Sequence, residues 1–341
     1  MPHRARYCLV AAALLAPLPA SALTAYALNA AGTSVVRFDT RSPGSASSLP
    51  IAGLLAGETL LSLDFRPRTR TLYAVSSANR VLIVEPGFAF VTPVGGAFTP
   101  ALAGTLFDMD FNASTDRIRV VSDADQDLRL DPATGAVAGV DTALQYAPAD
   151  PNAGADPNVV GVAHTASFAG ASMTTLFDID SGTDVLATQV PANVGTLNTV
   201  GPLGVGVVAA APAGFDMLRA IDGTEVAFAA LSTTGTSSTL FRINLATGAA
   251  TAIGAIGTPP QLVRGLALRD DEEPDAFVVT ASNQLVRFNL ASPGVIASPL
   301  PIVGLQPGET LRCLDWRPRT QQLVAIGTTD RLYSIQPETG F

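Results

Sequence analysis

The sequence predicts an all-β protein, a β-propeller of four-stranded antiparallel blades, from three observations. Short apolar strands separated by polar turns recur in units of roughly 50 residues. Glycine and proline are frequent, at 30 and 25 of 341 residues, and only 14% of the residues are charged, a composition that suits short strands and tight turns. No capped amphipathic run of helical length is visible. Stacking such sheets around an axis buries their apolar faces, so we expect a ring of five or six blades.

A long-range repeat sets the period of the fold. The stretch "GETLLSLDFRPRT" (57–69) returns as "GETLRCLDWRPRT" (308–320), with ten of thirteen positions identical and a spacing of 251 residues. Five units fit into one such period. Residues 26–54 have the pattern of the last three strands of a blade and 311–341 that of the first three. A propeller commonly closes its ring by building one blade from both chain ends.

Three longer segments carry a family resemblance. They are "LDFRPRTRTLYA" (63–74), "LRLDPATGAVAGVDTALQYAPADPNAGADPNVVGVAHTAS" (128–167) and "TTLFDIDSGTDVLATQVPANVGTLNTVGPLG" (174–204). Together they resemble DUF4394, a family of uncharacterised exported bacterial domains, although "AHTAS" (163–167) departs from the family pattern. The resemblance implies a propeller-like fold and implies no activity.

The resemblance also bears on domain organisation. A complete domain of the family spans about one period, which implies a five-bladed propeller over 23–270 and places the start of a second, truncated copy at 277–341. The alternative is a single six-bladed propeller in which 277–341 supplies the closing blade. In either case we expect the last segment to pack onto the ring.

The first 22 residues predict a signal peptide. Arg4 and Arg6 precede the apolar stretch "YCLVAAALLAPL" (7–18), and "ASA" (20–22) is a small-residue cleavage site near Ala22. We therefore expect a secreted or periplasmic bacterial protein. The apolar stretch is too short for a membrane span, and none is expected elsewhere. Cleavage leaves Cys313 as the one cysteine, which excludes an internal disulfide and cysteine-rich metal sites.

The charge pattern limits the possible partners. The net charge is −9 and the twenty basic residues, all arginine, form no basic stripe. Nucleic acid is therefore not expected as a partner. An unknown protein or a small-molecule ligand remains as the expected partner.

Carboxylates of the repeated motif are candidate ligand-binding residues. Asp64 and Asp315 lie in the two copies of the repeat, and Asp110 and Asp216 lie at near-equivalent places. Because the innermost strands of a propeller line its channel, these side chains could bind a cation or a polar ligand there. The alternative is structural: each Asp accepts N–H groups of its turn or pairs with an arginine such as Arg66. Recurrence in several blades favours the structural role, since catalytic groups need differing surroundings.

His164 is a further candidate ligand-binding residue. It is the only histidine after the predicted cleavage site and lies in a predicted first strand, "VVGVAHTAS" (159–167). The chain has no G-x-S-x-G nucleophile motif and no further histidine or cysteine set for zinc. We expect a structural or channel-facing histidine.

Two acidic stretches are candidate calcium loops. In "DPNAGADPN" (150–158), Asp150, Asn152 and Asp156 have an oxygen-rich spacing that could surround Ca²⁺. The alternative is a loop of Asx turns, in which the side chains bond nearby backbone. In "DADQDLRLD" (123–131) the glycine that a calcium loop requires is missing, and a hairpin is favoured.

These observations favour a non-enzymatic binding or scaffold module of unknown ligand and no required cofactor. Loop residues near 141–160 and 191–204 are the expected place for the ligand. The alternative is a Ca²⁺-dependent hydrolase or lactonase with its site at the channel mouth. That alternative needs at least three acidic or Asn side chains from different blades to meet at one point.

Overall fold

A computed structural model of the chain describes residues 23–220, 223–269, 275–289, 296, 299–317, 322–335 and 340. The predicted signal peptide, 1–22, lies outside the described residues. Within the described ranges, the helical structure is a single 3₁₀ turn, Ala192–Val194. No helix of that part is long and apolar enough to cross a membrane.

Five β-sheets form the body of the protein. Blade A contains β1 (Thr24–Asn29), β2 (Ser34–Asp39) and β3 (Ser42–Pro50). Blade B contains β4 (Leu60–Arg66), β5 (Thr71–Ser76), β6 (Val81–Glu85) and β7 (Phe90–Val94). Blade C contains β8 (Phe107–Asn112), β9 (Arg117–Ser122), β10 (Asp127–Leu130) and β11 (Val137–Val140).

The remaining two blades follow in chain order. Blade D contains β12 (Gln145–Tyr146), β13 (Val159–His164), β14 (Leu176–Asp180), β15 (Val185–Gln189) and β16 (Thr196–Pro202). Blade E contains β17 (Gly214–Arg219), β18 (Glu225–Leu231), β19 (Thr239–Ile243) and β20 (Ala250–Ala255). Within each blade successive strands pair antiparallel, and the short β12 adds to β16 in parallel.

Strand β21 (Val263–Arg269) closes the ring. It pairs antiparallel with β1, with Thr24 opposite Arg269 and Leu28 opposite Arg264, so that blade A has four strands in the order β21-β1-β2-β3. The innermost strands are therefore β21, β4, β8, β13 and β17, and each contacts the next around the ring. The fold is a β-propeller, and this pairing gives it five blades.

Alternation along the strands explains how the blades stack. Successive side chains of a strand point to opposite faces of its sheet, so Met109 and Phe111 of β8 join the core between blades B and C. Asp108 and Asp110 of the same strand point instead towards blade D, and they bond backbone groups of β13. A separate apolar cluster fills each interface between neighbouring blades.

The C-terminal segment forms two further three-stranded sheets. They contain β22 (Asp275–Val279), β23 (Gln284–Asn289) and β24 (Leu300–Pro301), then β25 (Leu311–Arg317), β26 (Gln322–Gly327) and β27 (Leu332–Ile335). Their shared core consists of their own side chains, among them Leu285 and Leu323. No described strand of this segment pairs with a strand of the ring.

The repeat preserves an aromatic pair but changes its surroundings. Tyr26 and Phe65 of the ring meet edge to face, with ring centroids 5.4 Å apart. Their counterparts in the C-terminal segment, Phe277 and Trp316, stack with centroids 6.0 Å apart. Phe65 is buried between blades, whereas Trp316 is 40% exposed. Trp316 therefore lacks the cover that neighbouring blades give to Phe65 in the ring.

Candidate functional site

Each central carboxylate bonds the innermost strand of the next blade. Asp64 Oδ2 accepts the N–H of Phe111 at 2.8 Å, and Asp216 Oδ2 accepts that of Leu268 at 2.5 Å. Each also accepts the N–H of the residue that follows it in its own strand. The predicted structural alternative places the N–H donors in the turn that follows each Asp; the structure shows donors in the same strand and in the next blade instead. The suggested pairing of Asp64 with Arg66 is wrong, because the Arg66 guanidinium bonds Asp116 from the turn of blade C.

The same register places five residues at one level of the channel. We call the position of Asp64 in the innermost strand of blade B the channel position. In blades C, D, E and A this position is held by Asp110, Ala163, Asp216 and Ala267. Asp64, Asp110 and Asp216 each offer a carboxylate oxygen within 4.8 Å of the others, and all three are buried. Burial, and then repulsion by Asp216 and Asp110, raises the pKa of Asp64 well above its ordinary value. Three such carboxyls can retain protons or hold a cation.

Asp108, two residues before Asp110 in β8, is fully buried and bonds three neighbouring blades. It accepts hydrogen bonds from Ser62 Oγ at 2.6 Å, from Val162 N at 3.0 Å and from Phe215 N at 3.1 Å. Burial raises the pKa of Asp108 to about 8. The carboxyl thus joins the innermost strands of blades B, C, D and E.

Glycines allow the innermost strands to approach at this level. A Cβ on Gly214 would lie 2.2 Å from the carbonyl carbon of Gly265, and one on Gly161 would lie 2.9 Å from Cβ of Phe215. No side chain fits such gaps.

His164 lies at the interface of blades C and D. Its Nδ1 is 2.5 Å from Asp110 Oδ2, and its backbone N–H bonds the same oxygen. Burial lowers the pKa of His164 to about 3, so the imidazole is neutral. The residue that follows the channel position is His164 in blade D and Phe65, Phe111, Met217 or Leu268 in the other blades. The backbone N–H of each of these residues bonds a central carboxylate.

A second replacement on the facing blade adds a buried charge to this interface, beside its apolar cluster. The residue opposite the channel position in the second strand is aromatic in four blades: Tyr26, Tyr73, Phe177 and Phe228. In blade C it is Arg119, opposite Asp110. The C–D seam, as we call these facing side chains, comprises Asp110, Arg119, Asp127, His164, Asp178 and Gln189, all of them buried.

Buried carboxylates hold Arg119 in place. Its Nη1 donates to Asp127 and, at 3.1 Å, to Asp141, while Nη2 donates to Asn193 Oδ1 at 2.8 Å. Arg129 forks onto Asp141 with bonds of 2.7 to 3.1 Å. The Nε–H of Arg119 has no acceptor among the described residues.

Other atoms of the seam also lack partners in the described part of the chain. They are both carboxyl oxygens of Asp178, Oε1 of Gln189 and Nε2 of His164. Burial, followed by repulsion from Asp127, raises the pKa of Asp178 well above its ordinary value. A buried polar group without a partner lowers the free energy of unfolding by about 1–3 kcal/mol. The seam therefore stabilises the fold less than an apolar interface would.

A pocket of about 300 Å³ opens at the seam. Its lining comes from the turn and strands of blade C and the 3₁₀ turn of blade D: Asn112, Thr115, Arg117, Arg119, Arg129, Ala192 and Asn193. We call it the C–D pocket. Asn193 belongs to the 191–204 stretch in which the sequence predicts a ligand site.

The structure brings some predicted site residues together and separates others. Asp64 and Asp110 come together with Asp216 at the ring axis, and His164 contacts Asp110 from the interface of blades C and D. Asp315 does not join them: it lies exposed on β25, and its carboxylate bonds the N–H of Trp316. The reason is that β25 belongs to the C-terminal sheets and not to the ring.

The predicted calcium loop 150–158 contains an Asx turn. Asp150 accepts the N–H of Asn152 and the N–H and Oγ1–H of Thr199, while Nδ2 of Asn152 bonds the same threonine. Asp156 instead lies beside Asp125 of the other acidic stretch. Burial, and then the charge of Asp156, raises the pKa of Asp125 to about 6. Asp150 and Asp156 thus have different neighbours, and a calcium site formed by Asp150, Asn152 and Asp156 stays a prediction.

Sequence reasoning missed Arg119 and Arg129. Arg119 lies in "RIRVVS" (117–122) and Arg129 in "DLRL" (127–130), opposite each other in neighbouring strands. The corresponding pair in blade B is Tyr73 and Ile83. Only an alignment of blade against blade reveals the exchange of apolar residues for arginines.

Comparison with known proteins identifies the family. The profile of the family described as "Domain of unknown function (DUF4394)" matches residues 34–267 and again 284–341. The chain therefore belongs to this family, as its sequence motifs indicate. No curated protein matches it.

Three solved structures are similar to the chain at low identity. A structural genomics protein of unknown function from Bacteroides thetaiotaomicron is 12% identical with a TM-score of 0.36, over 67% of this chain and 52% of that one, so the match spans about half its length. YCF48 from Cyanidioschyzon merolae is 11% identical with a TM-score of 0.33, over 94% and 98%. The Dos1 propeller is 11% identical with a TM-score of 0.35, over 89% and 74%. The fold assignment here rests on strand pairing.

Proposed function

We propose that the ring is a non-catalytic binding module and that the C–D pocket is its ligand-binding site. The observation that carries the proposal is the exchange of apolar for polar side chains at one blade interface. His164 and Arg119 stand where the other blades have apolar or aromatic residues. An interface that served only to hold blades together would be more stable with the apolar residues.

The central carboxylates support a role without catalysis. Asp64 and Asp216 each use both oxygens to accept backbone N–H groups. The bonds to Phe111 and Leu268 hold neighbouring blades together. His164 is the residue type most often used as a base, but it is fully enclosed and its Nδ1 is bonded to Asp110.

A pocket-filling variant tests the proposal. Ala192 lines the pocket, is only partly buried and packs against the edge of the apolar cluster of blades C and D. Ala192→Phe should fill the pocket, and circular dichroism and urea unfolding of the variant would show that the ring remains folded. We would measure melting temperatures against a library of charged and neutral small molecules. Ligands that stabilise the native protein should lose their effect in Ala192→Phe. Binding that persists in this variant, or catalytic turnover of a bound compound, would contradict the proposal.

A Ca²⁺-dependent hydrolase is the second candidate. The convergence of Asp64, Asp110 and Asp216 from three different blades favours it, since this is the arrangement such an enzyme needs. These carboxylates would hold the cation, whose chemistry is to polarise a substrate carbonyl. Their burial argues against substrate access, so this candidate ranks second. Calorimetric titration with Ca²⁺ and a lactone hydrolysis assay, each repeated with Asp110→Asn, would detect it.

We also propose that residues 1–22 direct export from a bacterial cell. The support is the order of charged start, short apolar stretch and small-residue site in the sequence. Amino-terminal sequencing of the protein from periplasm and culture medium should give Leu23 as first residue. A product that retains Met1 would contradict export by this route.

A further inference from the structure

The C–D pocket presents arginines and no acidic side chain. Three of its seven lining residues are Arg117, Arg119 and Arg129, and the others are small or uncharged polar residues. The chain as a whole is acidic, with a net charge of −9. A concentration of three guanidinium groups around one cavity is therefore contrary to the general charge of the molecule.

Carboxylates behind the pocket position these arginines. Asp127 pairs with Arg119, and Asp141 pairs with both Arg119 and Arg129; both carboxylates are buried and neither belongs to the lining. Arg117 is less constrained, since its nearest carboxylate, Asp131, is 3.4 Å away. The guanidinium groups of Arg119 and Arg129 are thus held in fixed directions before any ligand arrives, which reduces the entropy lost on binding.

The hydrogen-bonding capacity of Arg119 is incompletely used. Its side chain is 3% exposed, and its Nε–H has no acceptor among the described residues. A buried donor without an acceptor is unfavourable. Arg119 is among the residues that line the pocket, so a ligand oxygen that reached this N–H would remove the cost.

We propose that the C–D pocket binds an oxyanion, either a carboxylate or a phosphate or sulfate group of a small molecule. Guanidinium groups match the planar and tetrahedral oxygens of these anions and donate charge-assisted bonds to them. Asn193 and Thr115 line the same cavity and add neutral polar groups suited to the rest of the ligand. The volume of about 300 Å³ fits a small molecule. This inference rests on the proposed binding function of the pocket.

Titration with simple anions tests the proposal. Inorganic phosphate, sulfate and citrate would be added to the purified protein at constant ionic strength, with melting temperature and calorimetric heat as readouts. We expect at least one anion to raise the melting temperature saturably, by a few degrees at about a hundredfold excess over Kd. Phosphate or sulfate binding would identify a tetrahedral group, and citrate binding a carboxylate.

Matched arginine variants distinguish the pocket from general charge. Arg117→Gln and Arg129→Gln should each weaken binding by roughly tenfold, the loss expected for a charge-assisted contact. Arg41→Gln removes the same charge from blade A, where Arg41 pairs with Asp39 at the surface, and should leave binding unchanged.

Two results would overturn the oxyanion proposal. One is the absence of a saturable shift with all three anions, and the other is an equal effect of the pocket and control variants. If neutral compounds then bind in a manner that Ala192→Phe abolishes, the binding function stands and only the ligand class is wrong.

Discussion

His164 Nδ1 lies 2.5 Å from Asp110 Oδ2 across the interface of blades C and D, and both side chains are buried. This contact joins the channel carboxylates to the polar seam that leads to the pocket. In the other blades an apolar side chain occupies the position of His164 and seals the interface. The pair therefore marks the interface at which buried polar side chains replace the apolar ones of the other blades.

Replacing His164 should change the response of stability to acid. Its pKa is lowered to about 3 in the folded protein, against about 6.5 in an unfolded chain. Below pH 6.5 the unfolded chain takes up a proton that the folded protein does not, so stability falls by about 1.4 kcal/mol per pH unit from this group. His164→Phe removes that loss. Urea unfolding at pH 7 and 4.5 should move in favour of the variant at the lower pH; a constant difference would contradict this.

Asp108 should produce the opposite dependence at higher pH. Its pKa is raised to about 8, so between roughly pH 4 and 8 the unfolded chain loses a proton that the folded protein keeps. Stability therefore falls as pH rises through this range. Asp108→Asn can still accept from Val162 and Phe215 but has no charge to bury. Its melting temperature relative to the native protein should rise from pH 5 to pH 8.

Asp108→Ala supplies the control for this prediction. It removes the acceptors of Ser62, Val162 and Phe215 and should destabilise the ring at every pH, because buried donors are left without partners. Equal pH profiles for the Asn variant and the native protein would show that Asp108 does not titrate in this range.

The blade architecture could be predicted from the sequence because it depends on local patterns. Strand alternation and the 251-residue repeat predict the propeller, and the recurring Asp64 motif predicts carboxylates near the axis. The Asp110–His164 contact depends on the register between two blades and on a bulge between Val159 and Gly161 of β13. No local pattern specifies that register. The pocket likewise requires Arg119 and Asn193, 74 residues apart, to meet.

Close approach of the innermost strands should make Gly214 irreplaceable. A Cβ there would lie 2.2 Å from the carbonyl carbon of Gly265, so Gly214→Ala forces two strands of the ring apart. We expect a loss of about 1–3 kcal/mol or more in the free energy of unfolding. Gly96→Ala is the control, since nothing lies within 4 Å of its Cβ position, and it should change stability by less than about 0.5 kcal/mol. Equal denaturation midpoints would contradict the inferred crowding.

Asp156 should destabilise the folded protein at neutral pH through Asp125. Burial and the charge of Asp156 raise the pKa of Asp125 to about 6, so stability falls as pH rises from about 4 towards 6. Asp156→Asn removes the repulsion. Its melting temperature should exceed that of the native protein at pH 7.5 and equal it at pH 4. If Ca²⁺ stabilises the native protein and Asp156→Asn lowers its stability, the two residues hold a cation instead.

The two copies of the repeat should unfold separately. Trp316 is the single tryptophan of the chain and lies in the C-terminal sheets, so tryptophan fluorescence reports on those sheets. Far-UV circular dichroism reports mainly on the larger ring. Phe65 is buried in the core of blades A and B, and Phe65→Ala should destabilise the ring by about 3–5 kcal/mol. The circular dichroism transition should move to lower denaturant while the fluorescence transition stays in place.

Leu285→Ala provides the reciprocal variant for this experiment. Leu285 is buried in the core that β23 shares with β26, so its truncation should move the fluorescence transition and leave the main circular dichroism transition unchanged. The reason is that the apolar clusters of the ring and of the C-terminal sheets contain different residues. If both signals shift together in either variant, the sheets of the second copy share the cooperative unfolding of the ring.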